Sequence, residues 1–197
     1  MSGENNINAV RPGKDLKFRD WRQVLYVGLG TAALLLIPLF GRFPWSAGDF
    51  IVMGALLFSA GLAYVLISRR SNSLSYRAAV GLAVGAGFLL TWINLAVGII
   101  GSEDNPANLL YVLVLLTEIA GAVIARFRPR GMSNALYATA LAQMLVPFAA
   151  LIFWRSALDE PPGITGIFLL NAFFAGLFWL SGILFRKAGQ MVTPAGL

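Results

Sequence analysis

The chain has 197 residues, of which 58% are hydrophobic and 12% charged, with a net charge of +6 and neither Cys nor His. A soluble domain carries about a quarter charged residues, so the composition excludes one. The missing residue types exclude disulfides, thiol nucleophiles, zinc sites of the Cys/His kind, histidine-ligated haem and the His base of a serine-type intramembrane hydrolase.

Residues 1–23 form a basic tail in which KDLKFRDWRQVL (14–25) sets Phe18, Trp21 and Leu25 at helical spacing among charges. This segment reads either as an interfacial helix or as a tail anchored by Trp21. Glu4, Asp15 and Asp20, with no small-residue cleavage pattern after the first apolar run, argue against a cleaved leader. Six apolar runs follow, at about 24–41, 48–68, 78–101, 108–125, 133–153 and 163–185, each near the roughly 20 residues that cross a hydrocarbon core. None has the alternation of a membrane β-strand, and backbone in lipid must satisfy its own hydrogen bonds, so all six are predicted to be helices. The predicted fold is all-α: a polytopic bundle of six transmembrane helices in one domain over 24–187, with a short tail at 188–197.

Of the fifteen Lys and Arg, all but Arg42 and Arg155 fall in the N-terminal tail, around 69–77, around 126–130, or at Arg186 and Lys187. The intervening loops hold those two, with Asp49, Glu103, Asp104, Asp159 and Glu160 in or beside them. Such alternation follows the positive-inside rule and predicts that both termini are cytoplasmic. The positive charge is thus a topology signal, and no nucleic-acid partner is expected. Besides the lipid bilayer, the expected partner is a second copy of the chain or a larger membrane complex.

Ala60-Gly61, Ala120-Gly121 and Ala175-Gly176 each precede a basic helix end. They suggest three parallel helical-hairpin repeats. Close helix approach explains the same pairs without a repeat.

Glu118, in LLYVLVLLTEIAGAVIA, lies about eleven residues from the outer end of its run, so about 16 Å deep. A carboxyl near the midplane is costly and usually faces the bundle interior. No Lys or Arg occupies a span centre, so the acid is expected to be protonated and hydrogen-bonded. Gln143, at similar depth on the next run, is its expected partner. Asn94 in TWINLAVG and Asn171 in FLLNAFFAG form a second depth-matched pair, about 10–12 Å from the outer face. Either pair could glue helices together or line a polar path.

GIIGSEDNPAN (98–108) places two carboxylates beside a turn. Asn105 before Pro106 is a good helix start, with Asn as the N-cap and Pro where its missing N–H costs nothing. Glu103 and Asp104 sit near the positive end of the helix that follows. Glu103, Asp104 and Asn105 offer oxygen ligands, but their spacing matches no calcium loop, and a capped outward turn is the favoured reading. No catalytic set, metal site or cofactor is predicted.

With RFRPRGM (126–132), GIIGSEDNPAN resembles a group of uncharacterised small bacterial inner-membrane proteins, over about Asp49 to Arg186. The resemblance implies a bacterial inner membrane and brings no activity with it. Six spans in three hairpins are also similar in layout to the acid-resistance membrane proteins of enteric bacteria. The leading expectation is a non-enzymatic integral membrane protein acting as an accessory, assembly or stress-related component. The alternative is a small permease or channel with a polar path through Glu118, Gln143, Asn94 and Asn171. A membrane enzyme using Glu103 and Asp104 with a metal ranks third.

Overall fold

The computed structural model describes residues 14–191, with side chains from 21 to 190. It is all-helical, with no strand among the described residues. The helices are α1 (Lys14–Phe40), α2 (Ala47–Ser68), α3 (Leu74–Ala96), α4 (Leu110–Ile124), α5 (Pro129–Phe153) and α6 (Gly163–Met191). Short 3-10 turns at Pro106–Leu109 and Arg155–Leu158 precede α4 and follow α5. All six helices are long and apolar enough to cross a membrane once the turn before α4 is counted with it, and the chain is a multi-pass membrane protein.

The chain divides into two compact units, Met1–Phe58 and Ser59–Leu197. In the first, α1 is one unbroken helix from Lys14, so the stretch read as an interfacial segment or tail is its opening turns. The tail before Lys14 lies outside the described residues, as does the chain after Met191. Ser46 and Asp49 cap α2 reciprocally. The Asp49 carboxylate accepts from Ser46 N–H at 2.7 Å and Oγ at 2.8 Å, and Ser46 Oγ accepts from Asp49 N–H at 3.3 Å.

In the second unit, α5 packs most extensively on α6, with α4 on α5 and α3 on α6, while α3 and α4 touch only sparsely. The spatial order is therefore α3, α6, α5, α4. Small residues set the close approaches. A methyl added at Gly121 of α4 would meet Ala135 Cβ of α5 at 2.7 Å, and one at Gly182 of α6 would meet the Tyr137 ring of α5 at 2.6 Å. Ser181 Oγ donates to the Ala79 carbonyl at 2.8 Å, and the rings of Tyr76 and Phe185 meet edge-on at 5.2 Å, which together tie α6 to α3. Leu113, Leu116, Ile119 and Val123 of α4 are exposed, and its inner face, which carries Tyr111, Val114 and Ala122, is also apolar apart from Glu118. Apolar surface on both sides is what a lipid-facing helix requires.

Two segments depart from the expected spans. α3 ends at Ala96, so Gly98–Gly101, predicted as its last turn, form a folded loop. Gly98 (φ 70°) and Gly101 (φ 64°) are left-handed and turn the chain back on itself, which buries Ile99 and Ile100 completely. At the opposite end, Arg126 and Phe127 both take positive φ, near 50° and 58°, a costly conformation for side-chain-bearing residues. It is held from outside the loop. Tyr76 Oη donates to the Phe127 carbonyl at 2.9 Å, and the Arg70 guanidinium lies 4.4 Å above the Phe127 ring. Pro129 then opens α5 at its first position.

The hairpin repeat is not shown. α5 and α6 pack closely whereas α3 and α4 barely meet, and the Ala-Gly pairs differ in surroundings. Gly121 abuts Ala135, but Gly176 has open space where a Cβ would go.

Candidate functional site

Four polar side chains were expected to meet in the span interiors as two pairs, Glu118–Gln143 and Asn94–Asn171. The structure forms neither. Gln143 Nε2 instead donates to Asn171 Oδ1 at 3.0 Å, and Asn171 Nδ2 donates to Tyr111 Oη at 3.0 Å and to the Ile167 carbonyl at 2.8 Å. This chain of bonds links α5, α6 and α4, and none of its three side chains is more than 1% exposed. Pro147, one turn on from Gln143, has no N–H to offer the Gln143 carbonyl, so α5 is locally poorer in its own hydrogen bonds where the cross-helix bonds form. Gln143 Oε1 has no hydrogen-bond partner among the described residues.

Asn94 turns instead toward the loop after α3. Its Nδ2 donates to the Asn108 carbonyl at 3.1 Å, and its Oδ1 is buried without a partner. Glu118 is half-buried on the stripe of α4 that carries Tyr111, Val114 and Ala122, and faces α3. A methyl added at Gly87 of α3 would meet Glu118 Oε2 at 3.0 Å, so the missing side chain at Gly87 makes room for the carboxyl. Thr91 and Thr117 satisfy themselves on the carbonyls of Gly87 and Leu113, each at 2.8 Å.

The loop at 98–108 is a built turn. Asn105 caps the Pro106–Leu109 turn, its Oδ1 accepting from Ala107 N–H at 2.9 Å. Asn108 organises the rest. Its Oδ1 accepts from the N–H groups of Ile99 and Ile100 at 3.1 and 3.0 Å, while its Nδ2 donates to the carbonyls of Ser102 and Ile100 at 2.7 and 3.3 Å. A buried amide with both ends doubly used is a clamp on the backbone. Glu103 and Asp104 are exposed on the outside of the turn. No group of three or more metal-ligating side chains occurs among the described residues.

Two organising residues, Asn108 and Tyr111, went unread in the sequence. Asn108 stands where a helix was expected to have begun, and Tyr111 looks like an interfacial aromatic. The signal for Asn108 was an amide two residues after an N-P helix start, behind two glycines that could reverse the chain.

The site is thus a closed polar chain inside the bundle, a clamped turn at one end and one isolated carboxyl between α3 and α4. No family model matches the chain, and no curated protein or solved structure matches it.

Proposed function

We propose that the chain is a non-enzymatic integral protein of a bacterial inner membrane, with both ends cytoplasmic, acting as an accessory or assembly component. The observation that carries this reading is the Gln143–Asn171–Tyr111 chain. A permeation path needs polar groups that solvent can reach, and these are fully buried and linked to one another, with Gln143 Oε1 left unpartnered among the described residues. With Asn94 committed to the loop backbone, the polar path of the permease alternative keeps Glu118 alone.

Two measurements test the reading. In proteoliposomes, the wild type and Glu118→Gln should show the same proton and cation leak as empty vesicles. In mild detergent, the particle should have a protein mass well above the 21.2 kDa of one chain. A monomer with flux that Glu118→Gln abolishes would overturn the proposal in favour of transport.

A further inference from the structure

Among the described residues, Glu118 is the one carboxyl that stands well inside a span, about 9 Å from the end of α4 at Ile124. It makes no hydrogen bond or ion pair with any described residue. Ser133 Oγ and Gln143 Oε1 are unpartnered as well, but a neutral hydroxyl or amide oxygen costs far less in hydrocarbon than an acid does.

The carboxyl lies in the seam between α3 and α4, the two helices of this unit that touch only sparsely. Elsewhere in the unit a glycine lets two helices close, as Gly121 does on Ala135 and Gly182 on the Tyr137 ring. Gly87 of α3 meets something else. A methyl there would lie 3.0 Å from Glu118 Oε2 and 3.7 Å from Leu115 Cδ2. Flexible side-chain tips, one of them an acid, fill the seam where packed backbone fills the others. Gly87 and Thr91 of α3 and Leu115 and Glu118 of α4 are all half-buried, so the seam can be reached from outside the unit.

An acid held in hydrocarbon needs a counter-charge or a hydrogen-bond donor to offset its cost. This chain offers neither to Glu118. Arg22, Arg77, Arg130, Arg186 and Lys187 all stand near the ends of their spans. A second copy has the same shortage, because the membrane fixes the depth of each residue and no Lys or Arg occupies the depth of Glu118. Charge complementarity therefore points to a different chain.

We infer that the α3–α4 seam is the docking groove for a spanning helix of another protein, one that carries a Lys or Arg at the depth of Glu118. The inference rests on the proposed role as an assembly component and names the chemistry of its partner.

The test uses the full chain in lipid vesicles with synthetic leucine-rich helices of about 22 residues, long enough to span. One peptide carries a lysine about six residues from one end, matching Glu118. A second is all leucine there, a third has its lysine at the end, and a fourth has glutamate in place of the matched lysine. Energy transfer from the tryptophans of the protein to a dansyl group on each peptide measures binding. The matched lysine peptide should bind about tenfold tighter than the all-leucine and end-lysine peptides, as one polar contact between spanning helices allows. Glu118→Gln should remove that preference, and Glu118→Lys should transfer it to the glutamate peptide. Glu118→Gln keeps the size of the side chain, so it decides the question even if Glu118→Lys does not fold. Equal binding of the lysine and all-leucine peptides by the wild type would overturn the inference, as would a preference that survives in Glu118→Gln. Self-association of the wild type that Glu118→Gln abolishes in the absence of peptide would assign the seam to a second copy and overturn it too. A particle of several chains that does not discriminate among the peptides defeats the inference and leaves the proposed function standing. Flux that Glu118→Gln abolishes defeats the proposed function, and the inference with it.

Discussion

Asn108 illustrates how a single side chain can hold a reversal of the chain. Burying Ile99 and Ile100 takes their backbone N–H groups out of water, and the Asn108 amide oxygen receives both. Asn108→Ala leaves those groups without a partner, so a loss of about 2–4 kcal/mol is expected, above the usual range for one exposed substitution. Glu103→Ala, on the exposed side of the same turn, should change stability by about 0.5 kcal/mol or less. Thermal unfolding in detergent, with protease sensitivity of the 98–105 segment, measures both. Equal effects of the two variants would remove Asn108 from its role as a clamp. The acidic residues of this loop were its most visible feature in the sequence, and they bond to nothing among the described residues. An amide that reads as ordinary does the organising.

At the scale of helices, close approach is set by the absence of side chains. Gly121 faces Ala135 across α4 and α5 so tightly that a methyl would sit 2.7 Å from Ala135 Cβ and 3.3 Å from its Cα. Neither atom can swing away, so Gly121→Ala must separate the helices. A destabilisation of about 1–3 kcal/mol is expected, the usual cost of overpacking. Gly176→Ala is the control. It lies in the same kind of Ala-Gly pair but has open space, and should be neutral or slightly stabilising, since Ala is the better helix former. Midpoints of thermal or denaturant unfolding for the two variants should differ clearly, and matching midpoints would contradict the packing described here. The pairs look alike in the sequence. Only the neighbour each one meets separates them.

For the whole molecule, the two ends of the second unit differ in charge. The 126–130 segment and Arg186 give one end an arginine excess, while Glu103, Asp104, Asp159 and Glu160 lie in the loops at the other. The expected orientation puts the basic end in the cytoplasm. The chain has no cysteine, so single cysteines at Ser102 and Ser71 report on one end each. An impermeant thiol reagent on intact spheroplasts should label Ser102→Cys and leave Ser71→Cys unmodified until the membrane is opened. The reverse pattern would invert the topology.

The sequence by itself determined that the chain crosses a membrane in six helices, and where charge collects along it. Both follow from transfer free energies and charges that add residue by residue, whatever the neighbours. Depth was legible only where the ends of the helix were, because rise per residue converts position into distance; α3 ends at Ala96, so Asn94 lies in its last turn and not well inside. Partnership was not. Glu118 and Gln143 lie similar distances along their runs, but each helix can turn about its axis and take any place in the bundle. Packing at Gly121, Gly182 and Gly189 settles both choices, and so sends Gln143 to Asn171, Asn171 to Tyr111 and Glu118 to Gly87. Arg130 and Arg186 lie far apart along the chain and share one cavity because α5 and α6 are antiparallel and in close contact, a relation that only the tertiary structure creates.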